Sequence, residues 1–92
     1  MSDAALVHLK TLTKIGTLVL SNTKITDEGL ARLTGLSRLW LLSLDGTQVT
    51  DSGLAHLSPL VNLRFLELKD TKVTAAGIEA LKKNLPNLTV SH

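Results

Sequence analysis

The sequence predicts an α/β solenoid, because a 24-residue pattern recurs along nearly the whole chain in strict register. A fixed period in the twenties is typical of proteins built from stacked coils, in which each repeat is one supersecondary unit. Within each repeat, alternating leucines predict a strand, and leucines at a spacing of three predict a helix. The positions that set the register are Thr23, Thr47 and Thr71; Leu20, Leu44 and Leu68; and Gly29, Gly53 and Gly77.

The length of 92 residues, with 43% hydrophobic and 20% charged residues, is typical of one folded domain. Two aromatic residues are few for this apolar content, so leucine must form most of the core. We expect a single domain over residues 1–92. It should contain a partial first repeat at 2–14, full repeats at about 15–38, 39–62 and 63–87, and a terminal segment at 88–92.

Each predicted strand carries two leucines separated by one residue, so both leucines should point inward. Another apolar residue stands three positions earlier in each repeat. The strands are Leu18-Val19-Leu20, Leu42-Ser43-Leu44 and Leu66-Glu67-Leu68, preceded by Ile15, Leu39 and Leu63. A threonine follows each strand, at positions 23, 47 and 71, and its hydroxyl can bond backbone groups inside the turn.

The second half of each repeat predicts a short helix. Thr26, Thr50 and Thr74 are candidate N-caps, and Asp27 and Asp51 would lie in the first turn, where the helix dipole favours carboxylates. A glycine at one fixed helix position indicates close approach of neighbouring coils. The inward stripes are Leu30, Leu33 and Leu36, then Leu54, Leu57 and Leu60.

The two ends of the chain depart from the regular repeat. Residues 2–6 align with residues 26–30, which predicts that the chain opens on a helix. Between Leu81 and Leu85 the register slips by one residue, and a short last strand is expected near Val90. Three full strands, with a short fourth, are close to the minimum for a stable array.

The first full repeat, over Ile15, Leu18, Leu20, Thr23 and Ile25, reads L-x-x-L-x-L-x-x-T-x-L. This pattern resembles the leucine-rich repeat signature, with threonine where that family usually has asparagine or cysteine. The repeat length and the helix start resemble bacterial or ribonuclease-inhibitor-like members. The resemblance implies a right-handed solenoid with a parallel sheet on the concave side and helices on the convex side. It also implies a protein-binding scaffold without enzymatic activity.

No residue pattern indicates catalysis, a cofactor or a metal. No serine lies on a G-x-S-x-G turn, and cysteine is absent. His8 and His56 share a repeat column but should stand roughly 10 Å apart or more, too far to share a metal ion. A column of Asp3, Asp27 and Asp51 can be interpreted as an acidic stripe for a cation or as helix N-terminal charge, and we favour the second interpretation.

Nucleic-acid and membrane partners are not indicated. The net charge is only +2, and the basic residues scatter over several columns without aromatic residues between them. No apolar run approaches membrane-spanning length, and the N-terminus lacks a signal-peptide pattern. These features favour a cytoplasmic protein, or a fragment of a larger one.

The candidate partner-binding surface is the outward face of the strands, which alternates with the inward leucines. An apolar cluster there, around Leu41 and Phe65 with Trp40 at the strand entrance, would be rimmed by charges. The alternative is that Trp40 and Phe65 fold over and complete the core. The candidate residues are Thr17, Val19, Trp40, Leu41, Ser43, Asp45, Phe65, Glu67 and Lys69. A second functional hypothesis is a structural or capping fragment, or self-association through an open sheet edge.

Overall fold

The structure, a computed structural model, describes residues 14–92. The predicted partial first repeat at 2–14 therefore lies outside the described residues, apart from Lys14. Strands and helices alternate along the rest of the chain. They are β1 (Thr17–Val19), α1 (Asp27–Leu30), β2 (Leu41–Ser43), α2 (Asp51–Leu54), β3 (Phe65–Glu67), α3 (Ala75–Asn84) and β4 (Thr89–Ser91). Short 3₁₀ helices at Ala31–Leu33 and Ala55–Leu57 continue α1 and α2.

The four strands form one parallel sheet in the order β1-β2-β3-β4. Their register follows the sequence repeat, since Thr17 pairs with Leu41 and Leu41 pairs with Phe65. Phe65 in turn pairs with Thr89, which confirms the short last strand near Val90. The assigned strands begin one residue before the leucine pairs, but the ladder continues beyond them, as when the Leu68 amide donates to the Ser91 carbonyl at 2.7 Å.

The core lies between the sheet and the helices, and leucine dominates it as expected. The inward strand leucines at positions 42, 44, 66 and 68 are buried, whereas Leu18 in β1 is half-buried. The helix stripes at positions 30, 33, 36, 54, 57 and 60 are also buried, each at most 1% exposed. Removal of this apolar surface from water supplies the main free energy of folding.

The threonine after each strand holds the turn together, as the sequence predicts. Thr23, Thr47 and Thr71 each donate their hydroxyl to the carbonyl three residues earlier, at 2.7 Å in every repeat. The residue immediately before each threonine has a positive φ: 58° at Asn22, 71° at Gly46 and 58° at Asp70. Asparagine, aspartate and glycine are the residues that tolerate this left-handed conformation best. This column is a second turn signal, and our sequence interpretation did not include it.

The threonines at the helix starts stand where the sequence predicts, but their hydroxyls have other partners. Thr50 and Thr74 occupy N-cap positions in extended conformation, but their hydroxyls do not cap their own helices. Instead, Thr50 donates its amide and hydroxyl to the two carboxylate oxygens of Asp27, at 2.6 and 2.5 Å. Thr74 donates in the same way to Asp51, at 2.7 and 2.5 Å. Each aspartate therefore lies in the first turn of its own helix and also binds the next coil.

The repeated glycine leaves room for this carboxylate. A Cβ atom built on Gly53 would lie 2.3 Å from Asp27 Oδ1, and one on Gly77 would lie 2.2 Å from Asp51 Oδ1. Real Cβ atoms do not approach other atoms this closely, so any larger residue would displace the aspartate. The close approach predicted from the glycine column is therefore real, and its cause is the aspartate of the preceding coil. We call each set of aspartate, threonine and glycine an inter-coil lock.

We expect Gly53→Ala to destabilise the protein, although alanine in a helix normally stabilises it over glycine by roughly 0.5–1 kcal/mol. The added methyl group would displace the Asp27 carboxylate and press on Leu30, whose Cδ1 would be 3.0 Å away. Overpacking of this kind costs about 1–3 kcal/mol, measurable by urea denaturation. Gly35→Ala is the matched control, because no atom lies within 4 Å of its added methyl group. A Gly53→Ala protein as stable as the wild type would contradict this account.

The inter-coil lock at Asp51 should also make the stability of the protein depend on pH in the acidic range. The Thr74 hydroxyl, followed by the Thr74 amide, holds the pKa of the Asp51 carboxyl below its ordinary value, and nearby His92 lowers it further. Because the folded-state pKa is lowered, the stabilisation is complete above the unfolded pKa of about 3.9 and is lost as pH falls through the folded pKa. We expect Asp51→Asn to lower the melting temperature at pH 7. Between pH 5 and pH 2, the melting temperature of this variant should fall by less than that of the wild type. Glu79→Gln on α3 is the control, and parallel acid profiles for wild type and Asp51→Asn would contradict the prediction.

Candidate binding surface on the concave sheet

The sheet register brings the outward strand residues into two columns. The first contains Thr17, Leu41, Phe65 and Thr89, and the second contains Val19, Ser43, Glu67 and Ser91. Neighbouring members of a column lie on adjacent strands, about 4.8 Å apart. Six of the predicted binding residues therefore lie in these two columns, and each column has a fourth member from β4.

An exposed apolar cluster lies on this face. Val19 is 64% exposed, Phe65 is 47% exposed, and Leu41 between them in the sheet is half-buried. The Phe65 ring contacts Trp40, which is 45% exposed, with ring centroids 6.1 Å apart and planes at 77°. This edge-to-face arrangement is favourable for aromatic pairs. The alternative interpretation required the two rings to fold over and complete the core. Both rings instead remain partly exposed at the surface.

Gly16 makes room for the Trp40 ring. A Cβ atom on Gly16 would lie 2.7 Å from Trp40 Nε1 and 2.9 Å from its Cδ1. The backbone holds the same position, since the Trp40 amide donates to the Gly16 carbonyl at 2.8 Å, and the Trp40 carbonyl accepts from the Arg64 and Phe65 amides at 2.9 Å. Our sequence interpretation did not include Gly16. The available signal was its place in the same repeat column as Trp40, with the smallest residue beside the largest.

Ser43 does not lie on an exposed surface, contrary to what strand alternation led us to expect. It is only 3% exposed, and its hydroxyl lies 2.6 Å from the Ser21 hydroxyl. Strand alternation predicted the side of the sheet correctly. It did not predict that neighbouring side chains cover a small residue there.

Charged residues lie beside the apolar cluster, as expected. Asp45 is half-buried, and its carboxylate accepts a hydrogen bond from the Lys69 amide at 2.7 Å. Lys69 itself is exposed, and Thr17 at the other end of the sheet is also exposed. Glu67 is half-buried, and its side chain makes no hydrogen bond or ion pair within residues 14–92. Glu67 is therefore the acidic group on this face that remains available to a ligand.

A shallow depression of about 330 Å³ opens between β3 and β4 on the same face. Its position follows from the register, which sets small β4 residues beside Phe65 and Glu67. We did not predict its β4 members as site residues, although a strand near Val90 with period-two alternation would have identified them. The lining residues are Leu41, Phe65, Leu66, Glu67, Thr89 and Ser91.

Within the described part of the chain, no group of three or more histidine, cysteine, aspartate or glutamate residues could hold a metal ion. The aspartate column has another role here, because Asp27 and Asp51 bind Thr50 and Thr74. His92, at the end of the chain, places Nε2 2.9 Å from the Val73 carbonyl, a contact that sequence reasoning missed. Across residues 14–92, no helix has the length and apolar character needed to span a membrane.

We expect Gly16→Ala to move the Trp40 ring without unfolding the protein. The added methyl group would occupy the space of the indole, whereas the backbone of Gly16 can remain in place. Trp40 is the single tryptophan of the chain, so its fluorescence emission and near-ultraviolet circular dichroism should change while the far-ultraviolet spectrum is retained. The Gly35→Ala control should leave both signals unchanged. An unchanged indole signal in Gly16→Ala would show that Trp40 does not depend on Gly16.

Comparisons with known proteins agree with this architecture. A family model described as Leucine Rich repeat matches residues 7–33 and 60–82, more than half of the chain. No curated protein matches the chain in sequence.

Three solved structures are similar to the chain. The first, Chaetomium Mex67:Mtr2 subunits, has a TM-score of 0.77 and 20% sequence identity, and the match covers 98% of this chain and 69% of that chain. The second, a Leptospira interrogans LRR protein, has a TM-score of 0.64 and 23% identity, and the match covers 94% of this chain and 27% of that chain. The third, an internalin from Listeria monocytogenes, has a TM-score of 0.57 and 23% identity, and the match covers 92% of this chain and 30% of that chain. The chain thus spans less than a third of the last two structures.

These likenesses are below 25% identity and support the fold, an α/β solenoid with a parallel sheet. The family model adds a match to the sequence itself over the repeat positions described above. The chain belongs to the leucine-rich repeat family.

Proposed function

We propose that this chain is a protein-binding module whose concave sheet face contacts the partner, centred on Leu41 and Phe65. Leucine-rich repeat proteins are generally scaffolds for protein interactions and are typically not enzymes. The particular face and its residues are our proposal. The observation that supports it most directly is the exposed contact between Trp40 and Phe65.

An exposed aromatic pair is a costly feature unless something covers it. Trp40 and Phe65 are each nearly half exposed, and Val19 adds a third exposed apolar side chain on the same face. Aromatic anchors surrounded by polar residues are typical of binding hot spots. Lys69 and Glu67 would form part of the polar rim, where charges influence partner choice and association rate more than affinity.

The rigidity of the sheet also favours recognition. The Phe65 ring contacts the Trp40 ring, and the Phe65 amide donates to the Trp40 carbonyl, which immediately precedes β2. A side chain fixed before binding loses less conformational freedom when the partner docks. The Chaetomium neighbour is itself described as Mex67:Mtr2 subunits, an arrangement of more than one protein. For this chain, that likeness supports only the general class of partner, another protein.

The test is selection of displayed peptides and folded domains on the wild-type protein, followed by affinity measurements with Phe65→Lys. We expect this substitution to weaken selected binders at least tenfold, because hot-spot residues contribute about 2 kcal/mol or more. It should not unfold the domain, since Phe65 is 47% exposed. Circular dichroism and thermal melting would verify the fold of the variant.

Val61→Lys is the matched control, because Val61 is 72% exposed and lies outside the strands of the concave sheet. Binders that lose affinity with Phe65→Lys but not with Val61→Lys would support the concave face. If the binders keep their affinity for both variants, the binding site lies elsewhere on the protein. Unfolding of Phe65→Lys would show that Phe65 is a core residue, and the proposal would lose its centre.

Self-association remains the second candidate function. Among the described strands, β4 pairs with β3 alone, so one side of β4 has no strand neighbour within residues 14–92. Such an edge is a template for pairing with another chain. Sedimentation equilibrium over a hundredfold concentration range separates the two candidates. A mass that rises with concentration would favour self-association, whereas a constant monomer mass would leave the protein-binding proposal as the better account.

A further inference from the structure

We propose that the depression between β3 and β4 receives a single arginine side chain of the partner. This inference rests on the proposed function and specifies the partner chemistry at one point of the concave face. The depression measures about 330 Å³, at the lower end of the range for small-molecule sites. It therefore suits one long side chain better than a larger ligand.

The charge of the depression favours a cation. Glu67 lines the depression, and its carboxylate has no ion-pair or hydrogen-bond partner within the described residues. The other acidic side chain on this face, Asp45, is already bonded to the Lys69 amide. Lys69 lies two residues after Glu67, yet it forms no ion pair with Glu67 in this part of the chain. An unpaired carboxylate on a half-buried residue gains from an incoming positive charge.

Hydrogen-bonding groups on β4 favour arginine in particular. Thr89 and Ser91 line the depression beside Glu67, and neither side-chain hydroxyl makes a hydrogen bond within residues 14–92. A guanidinium carries five N–H donors in a planar fork, so it can serve the carboxylate and both hydroxyls together. Lysine has three donors around one point and matches this spread of acceptors less well.

The apolar part of the lining favours the rest of the arginine side chain. Phe65 forms one wall, and its ring can interact with a guanidinium by a cation–π contact. Leu41, which is half-buried, also lines the depression and provides apolar surface for the methylene stem. The site therefore combines a carboxylate, two hydroxyls, an aromatic ring and an apolar surface, all of which complement one side chain.

The experiment is a nuclear magnetic resonance titration of the ¹⁵N-labelled protein with two tripeptides, Ac-Ala-Arg-Ala-NH₂ and Ac-Ala-citrulline-Ala-NH₂. Citrulline has nearly the shape of arginine without the charge. We expect the arginine peptide to cause saturable shifts in the amides of Phe65, Glu67, Thr89 and Ser91. The citrulline peptide should bind at least about fivefold more weakly, because it forms neither the ion pair with Glu67 nor the cation–π contact with Phe65.

Two variants make the titration specific. Glu67→Gln preserves the size of the side chain and should weaken the arginine peptide by about fivefold, to the level of citrulline. Glu79→Gln removes a negative charge on exposed α3, outside the depression, and should leave the affinity unchanged. The proposal is overturned if the arginine peptide gives no saturable shifts at these amides. Equal binding of citrulline, or unchanged binding by Glu67→Gln, would also overturn it.

The outcome can be separated from that of the proposed function. Selected binders that depend on Phe65 but carry no arginine, together with a failed titration, would retain the concave face and reject the arginine site. If the arginine peptide shifts the Glu67 amide but the selected binders keep their affinity for Phe65→Lys, the arginine site is supported. The proposal that the concave face is the main interface is then rejected.

Discussion

The stacking of one coil on the next depends on a polar contact that leucine packing cannot replace. Apolar burial is non-directional, and a core of similar leucines would tolerate small slides between coils. The carboxylates of Asp27 and Asp51 each accept two hydrogen bonds from one threonine of the following coil. Because hydrogen bonds require a narrow range of distances and angles, they admit only one register. The glycine beside each carboxylate is the steric condition for that contact.

This register determines the concave surface. Phe65 stands beside Leu41 and Thr89 because the coils are in line, and the depression forms where the small β4 residues follow the large residues of β3. The repeat positions that build the core and the locks hold nearly the same residue in each coil. The outward strand positions differ from coil to coil, from threonine to leucine to phenylalanine. Variation at positions free of structural demands is where a repeat protein can encode its partner.

Much of the fold could be predicted from the sequence, because leucine spacing and side-chain direction obey simple periods. The period of two placed Leu42 and Leu44 inward, and the spacing of three placed Leu54, Leu57 and Leu60 inward. The candidate site was predictable only in outline. Ser43 faces the expected side of the sheet but is covered, and Trp40 rests against Gly16, a contact between residues 24 positions apart. A period predicts which side a residue faces and does not predict what its neighbours cover.

The sequence by itself determined the repeat length, the alternation of strand and helix, the leucine core and the turn threonines. These features follow from local geometry and from the burial of apolar side chains, which a regular pattern reveals. Only the tertiary structure decided that Thr50 and Thr74 bind the preceding aspartates, that Trp40 and Phe65 form an exposed pair, and that Glu67 has no partner within residues 14–92. Each of these depends on distances between atoms of different coils, and such distances are set by how the coils stack.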